Sequence, residues 1–203
     1  MFERPRPLRP RPRAGSTRRG PLKTLGRLDQ KLLVALRTRG HSRTTERVVG
    51  ALGTFGEWGL GWIAIGAVGA GLDSGRREAW WAASAVGPAA VALNYAVKLA
   101  VGRERPLIED HPRLARAPSK LSFPSAHSTS SVAAATAMGR VAPGARAPLT
   151  MLALAVCLGR PYLGMHYPSD VLAGMLLGRE IGRHWPLPGL APRSSAGEEI
   201  WAR

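Results

Sequence analysis

Two stretches of the chain carry almost no charge. Val48 to Leu72 is a run of twenty-five residues with Glu57 as its one charged side chain, and Ala79 to Val97 is nineteen residues with none. A membrane span needs about 20 apolar residues, so both qualify. Leu121 to Gly139 is a third uncharged run, opening on the turn-like Ser122-Phe123-Pro124-Ser125. Ala147 to Gly159 is a shorter fourth, and Val171 to Gly178 extends a last helix toward Trp185. Each later run alone is short enough to be a buried helix of a soluble protein. Separated by charged or Pro/Gly-containing loops, the set predicts an all-α integral membrane bundle of about five transmembrane helices. Small residues four apart, Gly66 and Ala70, Ala133 and Ala137, allow helices to approach closely. Trp58, Trp80 and Trp81 fit interfacial positions.

Upstream, Leu22, Leu25, Leu28, Leu32, Leu33 and Leu36 recur at helical spacing with charges on the other face. This pattern predicts an N-terminal amphipathic helix, either lying on the membrane surface or packed on the rest of the protein. Residues 1–20 are Pro/Arg-rich, cannot build a packed core and are expected to be disordered. No short apolar segment follows the first charges, as a secretory signal would require. The organisation expected is a basic tail with an amphipathic helix over 1–45, a membrane-embedded domain over 46–186 and a short polar tail over 187–203.

Charge changes this picture in one respect. Of the 29 Lys and Arg, fourteen lie in residues 1–48 beside three acids, so the net charge of +16 is mainly N-terminal. Such a tail alone would suggest nucleic acid. Followed by apolar spans, it reads instead as a topology signal that keeps the N-terminus cytoplasmic, at a bacterial plasma membrane. It would also attract anionic lipid, at roughly 1 kcal/mol per residue near the surface. A membrane is therefore the expected partner, and nucleic acid is not; a solvated tail with no role beyond its charge stays open. Cys157 is the single cysteine, which excludes an intrachain disulfide, and its apolar surroundings read as a small buried hydrophobe.

Three clusters place ionisable groups where apolar helices should not have them, and charge at membrane depth is a functional signal. Lys98 ends the second span and Arg105 follows about two helical turns later, offering a point charge and a bidentate fork to a phosphate. Pro124-Ser125-Ala126-His127 precedes a Ser/Thr/Ala-rich helix, whose free N–H groups and Ser125 hydroxyl would form an anion site beside His127. In the third cluster, Arg160 to Asp170, Pro168 suits a first helical turn. That would put Asp170 one turn from His166, able to hold one imidazole nitrogen and leave the other free as a nucleophile. Each cluster alone has an ordinary structural reading, as a topology signal or a capped helix with a surface histidine.

Together, Lys98 to Arg105-Pro106, Pro124-Ser125-Ala126-His127, and Gly159-Arg160 to His166 to Asp170 resemble the three motifs of the type 2 phosphatidic acid phosphatase family. That family is related in fold and site to vanadium haloperoxidases, and the resemblance covers roughly residues 48–186. Ala126 stands where the family usually has Gly, and Gly159 where it usually has Ser. The resemblance implies catalytic His166, His127 and Asp170. His166 attacks phosphorus, Asp170 orients it, and His127 protonates the leaving oxygen and later helps activate water. It implies a phosphate held by Lys98, Arg105, Arg160, Ser125 and the Ala126 N–H, with no metal and no cofactor. The implied substrate is a lipid phosphate: a polyprenyl phosphate or diphosphate, phosphatidate, phosphatidylglycerophosphate or a decaprenyl-phosphoryl sugar phosphate. A haloperoxidase-like enzyme, a membrane-anchored basic scaffold and a transporter are the rival readings. The sequence leaves the oligomeric state open. With a cytoplasmic N-terminus, two spans precede Lys98 and the site falls at the cytoplasmic face; were residues 22–38 to cross, it would move to the outer face.

Overall fold

The computed structural model describes residues 21–108 and 110–190. The Pro/Arg-rich segment 1–20, and the polar tail from 191 onward, lie outside the described residues. Seven α-helices make up most of the described residues: α1 (Pro21–Thr38), α2 (Arg43–Gly56), α3 (Leu60–Leu72), α4 (Arg77–Val101), α5 (Ala126–Val141), α6 (Arg146–Tyr162) and α7 (Pro168–His184). Among the described residues the one trace of β-pairing is an isolated bridge between Glu104 and Leu121. The all-α expectation therefore holds.

α5 is the middle of the bundle and packs against α4, α6 and α7. Its Ala, Ser and Thr side chains are why it can sit there. Ala133, Ala134, Ala137, Ser128, Thr129, Ser130 and Ser131 are all buried. The closest approach is made by α7, through Gly174, Gly178 and Gly182 at four-residue spacing. A Cβ on them would lie 2.6, 2.3 and 2.4 Å from the carbonyl oxygens of Ser125, Thr129 and Ala133. Glycine is required at these positions because the α7 backbone lies directly on the α5 backbone. Gly66 of α3 makes a similar approach, since its Cβ would overlap the Ser84 hydroxyl of α4.

Many large apolar side chains point the other way. Leu60, Val68 and Leu72 of α3, Leu93 and Leu99 of α4, Met151 and Leu158 of α6, and Leu172 and Leu176 of α7 are all exposed. A water-soluble bundle buries its leucines; this one turns them outward around a core of small and hydroxylated residues. Two helical stretches, Arg43–Leu72 and Ser74–Val101, are long and apolar enough to cross a membrane. The first is interrupted. Trp58 (φ 53°) and Gly59 (φ 77°) are left-handed, and a short 3₁₀ turn over Glu57–Gly59 separates α2 from α3. Trp58 and Trp81 are exposed, whereas Trp80 is buried and its indole N–H donates to Asp73 at 3.2 Å.

α1 is amphipathic and packs on the rest of the protein. Leu25, Leu28, Leu32 and Leu36 form an exposed stripe, while Asp29, Leu33 and Arg37 are buried on the opposite side. Arg37 donates to the Pro112 carbonyl at 2.8 Å and Asp29 accepts the Ser169 N–H at 2.9 Å. The helix thus packs on the end of the bundle where α7 begins, and does not run through it.

Candidate active site

The three sequence clusters meet at that same end. Pro168 is the first residue of α7, which starts the helix where its absent N–H costs nothing. Asp170, in the first turn, reaches back to accept the Tyr167 N–H at 3.0 Å and stands 3.6 Å from Nδ1 of His166. The Asp170 carbonyl in turn accepts the Ser125 N–H at 2.9 Å, tying the start of α7 to the start of α5. The glycine stripe keeps those two helix starts side by side.

His166 is 2 % exposed, in the short loop between α6 and α7. Its Nε2 lies 2.9 Å from Nη1 of Arg105. A guanidinium can only donate, so Nε2 carries the lone pair and Nδ1 carries the proton. Nδ1 makes no hydrogen bond, and the Asp170 carboxylate stands 3.6 Å from it. Burial, with Arg105, Arg160 and Lys98 nearby, holds the His166 imidazole well below its ordinary range. The neutral tautomer with Nε2 free is the form a nucleophile requires.

Around it lies a cavity of about 220 Å³, lined by His166, His127, Lys98, Arg105, Arg160 and Glu57 among others. The Arg105 Nε donates to the Ser119 carbonyl and its Nη1 also donates to the Met165 carbonyl, both at 2.9 Å. Burial and the nearby Arg113 cation push Arg105 down to about 10, which leaves it charged at neutral pH. Arg160 is 4 % exposed, and its Nε has no partner. It lies against α2 at Gly53, where a Cβ would come within 2.9 Å of its Nη1. Lys98 donates to the carbonyls of Leu121, Ser122 and Pro124, at 3.3, 3.2 and 2.9 Å, so it fastens the segment before α5 as well as facing the cavity.

His127, in the first turn of α5, has its Nε2 3.1 Å from the Gly53 carbonyl and 3.4 Å from Glu57. A carbonyl accepts, so Nε2 bears a proton. Ala126 also lines the cavity. Ser125 does not: its hydroxyl is fully buried as the α5 cap, accepting the Ser128 N–H at 3.4 Å and the Ser128 hydroxyl at 3.0 Å. Of the eight residues singled out from the sequence, six therefore line one cavity, Asp170 stands behind His166, and Ser125 caps the helix beside it. Among the described residues no group of three His, Cys, Asp or Glu could hold a metal ion.

Three residues here escaped the motif reading. Glu57 was visible as the one charge of the first span, a signal in its own right. The backbone break at Trp58 brings it to the cavity. Arg103 donates to Asp170 at 2.7 Å and to Asp29 at 2.8 Å, and neither it nor Asp29 had any distinguishing signal in the sequence.

Residues 78–186, which contain all of these clusters, match the model of the PAP2 superfamily. The chain belongs to the PAP2 superfamily. It is 43 % identical over 134 residues to the decaprenylphosphoryl-5-phosphoribose phosphatase of Mycobacterium tuberculosis, covering 64 % of this chain and 73 % of that one. The enzyme of the same name from Mycolicibacterium smegmatis is 42 % identical over 127 residues, covering 61 % and 68 %. In fold, the chain resembles the transmembrane PAP2-type phosphatidylglycerolphosphate phosphatase of Bacillus subtilis. That likeness has a TM-score of 0.64 at 23 % identity and covers 78 % of this chain and 83 % of that one. Aquifex aeolicus LpxE is similar at a TM-score of 0.59 and 20 % identity, over 76 % and 92 %.

Proposed function

We propose that this PAP2 chain is a membrane lipid phosphatase that hydrolyses the phosphomonoester of a polyprenyl-linked sugar phosphate through a phosphohistidine on His166. One observation carries the mechanism: the buried His166 presents an unprotonated Nε2 to a cavity whose walls hold three cations. Nε2 attacks phosphorus and the bond to the leaving oxygen breaks. His127, entering as the imidazolium, delivers a proton to that oxygen and is left as the neutral imidazole. Water then attacks the phosphohistidine, with His127 as base, and releases inorganic phosphate. Charge on the phosphoryl oxygens is the main thing to stabilise, and Arg105, Arg160 and Lys98, with the Ala126 N–H, are placed for it. They supply the positive charge that a metal supplies in other phosphatases.

The lipid class is supported by the two mycobacterial relatives, whose names state their substrate. Glu57 and Trp58 at the cavity offer a carboxylate and an aromatic face, groups suited to a hydroxylated headgroup. The outward leucines support five crossings, made by α2 with α3, α4, α5, α6 and α7. α1 rests on the surface with its leucine stripe in lipid and its buried side on the protein. The packing of α1 at the site end supports a site on the same face as α1. The basic segment 1–48 makes that face cytoplasmic.

Phosphate release from a panel of purified lipids tests the substrate. Decaprenylphosphoryl-5-phosphoribose is expected to turn over fastest, ahead of phosphatidate, phosphatidylglycerophosphate and decaprenyl diphosphate, and to do so in EDTA. A clear preference for phosphatidate, or activity that EDTA removes and Mg²⁺ restores, would reject this reading.

A further inference from the structure

Asp170 is gripped on both oxygens. Oδ2 takes the Tyr167 N–H at 3.0 Å and faces Nδ1 of His166 at 3.6 Å, while Oδ1 takes Nη1 of Arg103 at 2.7 Å. Arg103 does not touch the cavity. It lies between α4 and α5, with its guanidinium 4.0 Å over the Tyr167 ring and its Nη1 also donating to the Ser169 hydroxyl at 2.7 Å. Its other nitrogen, Nη2, donates to Asp29 at 2.8 Å. Asp29 comes from α1, outside all three motifs, and is 7 % exposed. Its second oxygen accepts the Ser169 N–H at 2.9 Å, in the first turn of α7.

This is an Asp–Arg–Asp chain, its two carboxylates buried and its guanidinium 31 % exposed, and it ends 3.6 Å from the imidazole. Breaking such a chain leaves a charge uncompensated, so its members are constrained together. Asp170 alone with Arg103 would spend its negative charge on the guanidinium. Asp29 takes a share of that cation and fixes its rotamer. Asp170 then keeps charge for the Nδ1 proton, which must be held more tightly as His166 becomes positive on attack.

We infer that Asp29 is a positioning residue for the reaction, acting through Arg103 on Asp170 and so on His166. The inference rests on His166 as the nucleophile. It also makes the docking of α1, the surface helix, a condition of full activity.

The test is a double-mutant cycle in the full-length protein, with phosphate release from decaprenylphosphoryl-5-phosphoribose as readout. Asp29→Asn is expected to lower kcat roughly tenfold, the scale of one charge-assisted hydrogen bond, with KM within about twofold. Asp29→Glu should recover most of that loss. In an Arg103→Gln background Asp29→Asn should cost nothing further, because its route is already cut. Wild-type kcat in a folded Asp29→Asn protein overturns the inference. So does a loss confined to KM, or one that adds in full to that of Arg103→Gln. Should Asp29→Asn not fold, Arg103→Gln carries the same expectation of lowered kcat at unchanged KM, and a wild-type kcat there overturns it. Phosphate release by the wild-type protein is the control that separates failure of this inference from failure of the function it rests on.

Discussion

His166 is defined less by its own chemistry than by the groups that fix its protons. Arg105 at 2.9 Å reserves the Nε2 lone pair, and Asp170 at 3.6 Å waits for the Nδ1 proton. His127 is set up oppositely, with its Nε2 proton directed at Gly53 and Glu57. On the proposed mechanism, a neutral His166 with a bare Nε2 and a His127 with a protonated Nε2 make a nucleophile and an acid of the same residue type. This division predicts how their loss differs. His127→Ala should lose roughly 10²-fold or more in kcat on a lipid substrate, whose leaving alcohol needs a proton, and far less on p-nitrophenyl phosphate, which leaves unaided. Comparable losses on both substrates would remove His127 from the acid role. The residues of this paragraph were legible in the sequence because ionisable side chains in apolar surroundings stand out. Ser125 was legible too, but not its setting: Pro-Ser before a helix signals both an anion site and a cap, and here the hydroxyl is used by the cap.

At the level of elements, the site depends on how α7 lies on α5. Gly174, Gly178 and Gly182 allow the backbones to touch, and that contact sets the distance between His166 with Asp170 and Ser125 with His127. Gly178→Ala, whose Cβ would lie 2.3 Å from the Thr129 carbonyl, is expected to destabilise the protein by about 1–3 kcal/mol and to depress activity with it. Gly71→Ala, which meets nothing within 4 Å, should leave both unchanged. Thermal unfolding in detergent with parallel phosphatase assays checks the pair; equal Tm values would contradict the packing argument. This stripe was not read from the sequence, whereas Gly66 with Ala70 and Ala133 with Ala137 were. Glycines at four-residue spacing are evident once sought, but which neighbour they meet is a tertiary fact. The break at Glu57–Gly59 was hidden for a related reason: Glu-Trp-Gly within an apolar run does not announce that Trp58 turns left-handed.

For the molecule as a whole, many leucines face outward from a core rich in small and hydroxylated residues that also holds Trp62, Trp80 and Met138. The apolar pattern carried the all-α character from the start: four of its runs fall in one helix each, and the first is split into α2 and α3 at Glu57–Gly59. On the proposed topology, α1 packs at the site end and the site faces the cytoplasm. A cysteine placed by His111→Cys, in the loop between α4 and α5, should therefore resist impermeant thiol reagent in intact cells and react once they are opened. Cys157 is buried and should not compete. Ready labelling in intact cells would put the site on the outer face. A phosphohistidine on His166 is detected by rapid quenching of the purified protein with substrate labelled in the phosphate. An acid-labile, base-stable label on the wild-type protein that is absent from His166→Ala is the predicted result. A label retained in His166→Ala, or its turnover at the wild-type rate, would contradict it.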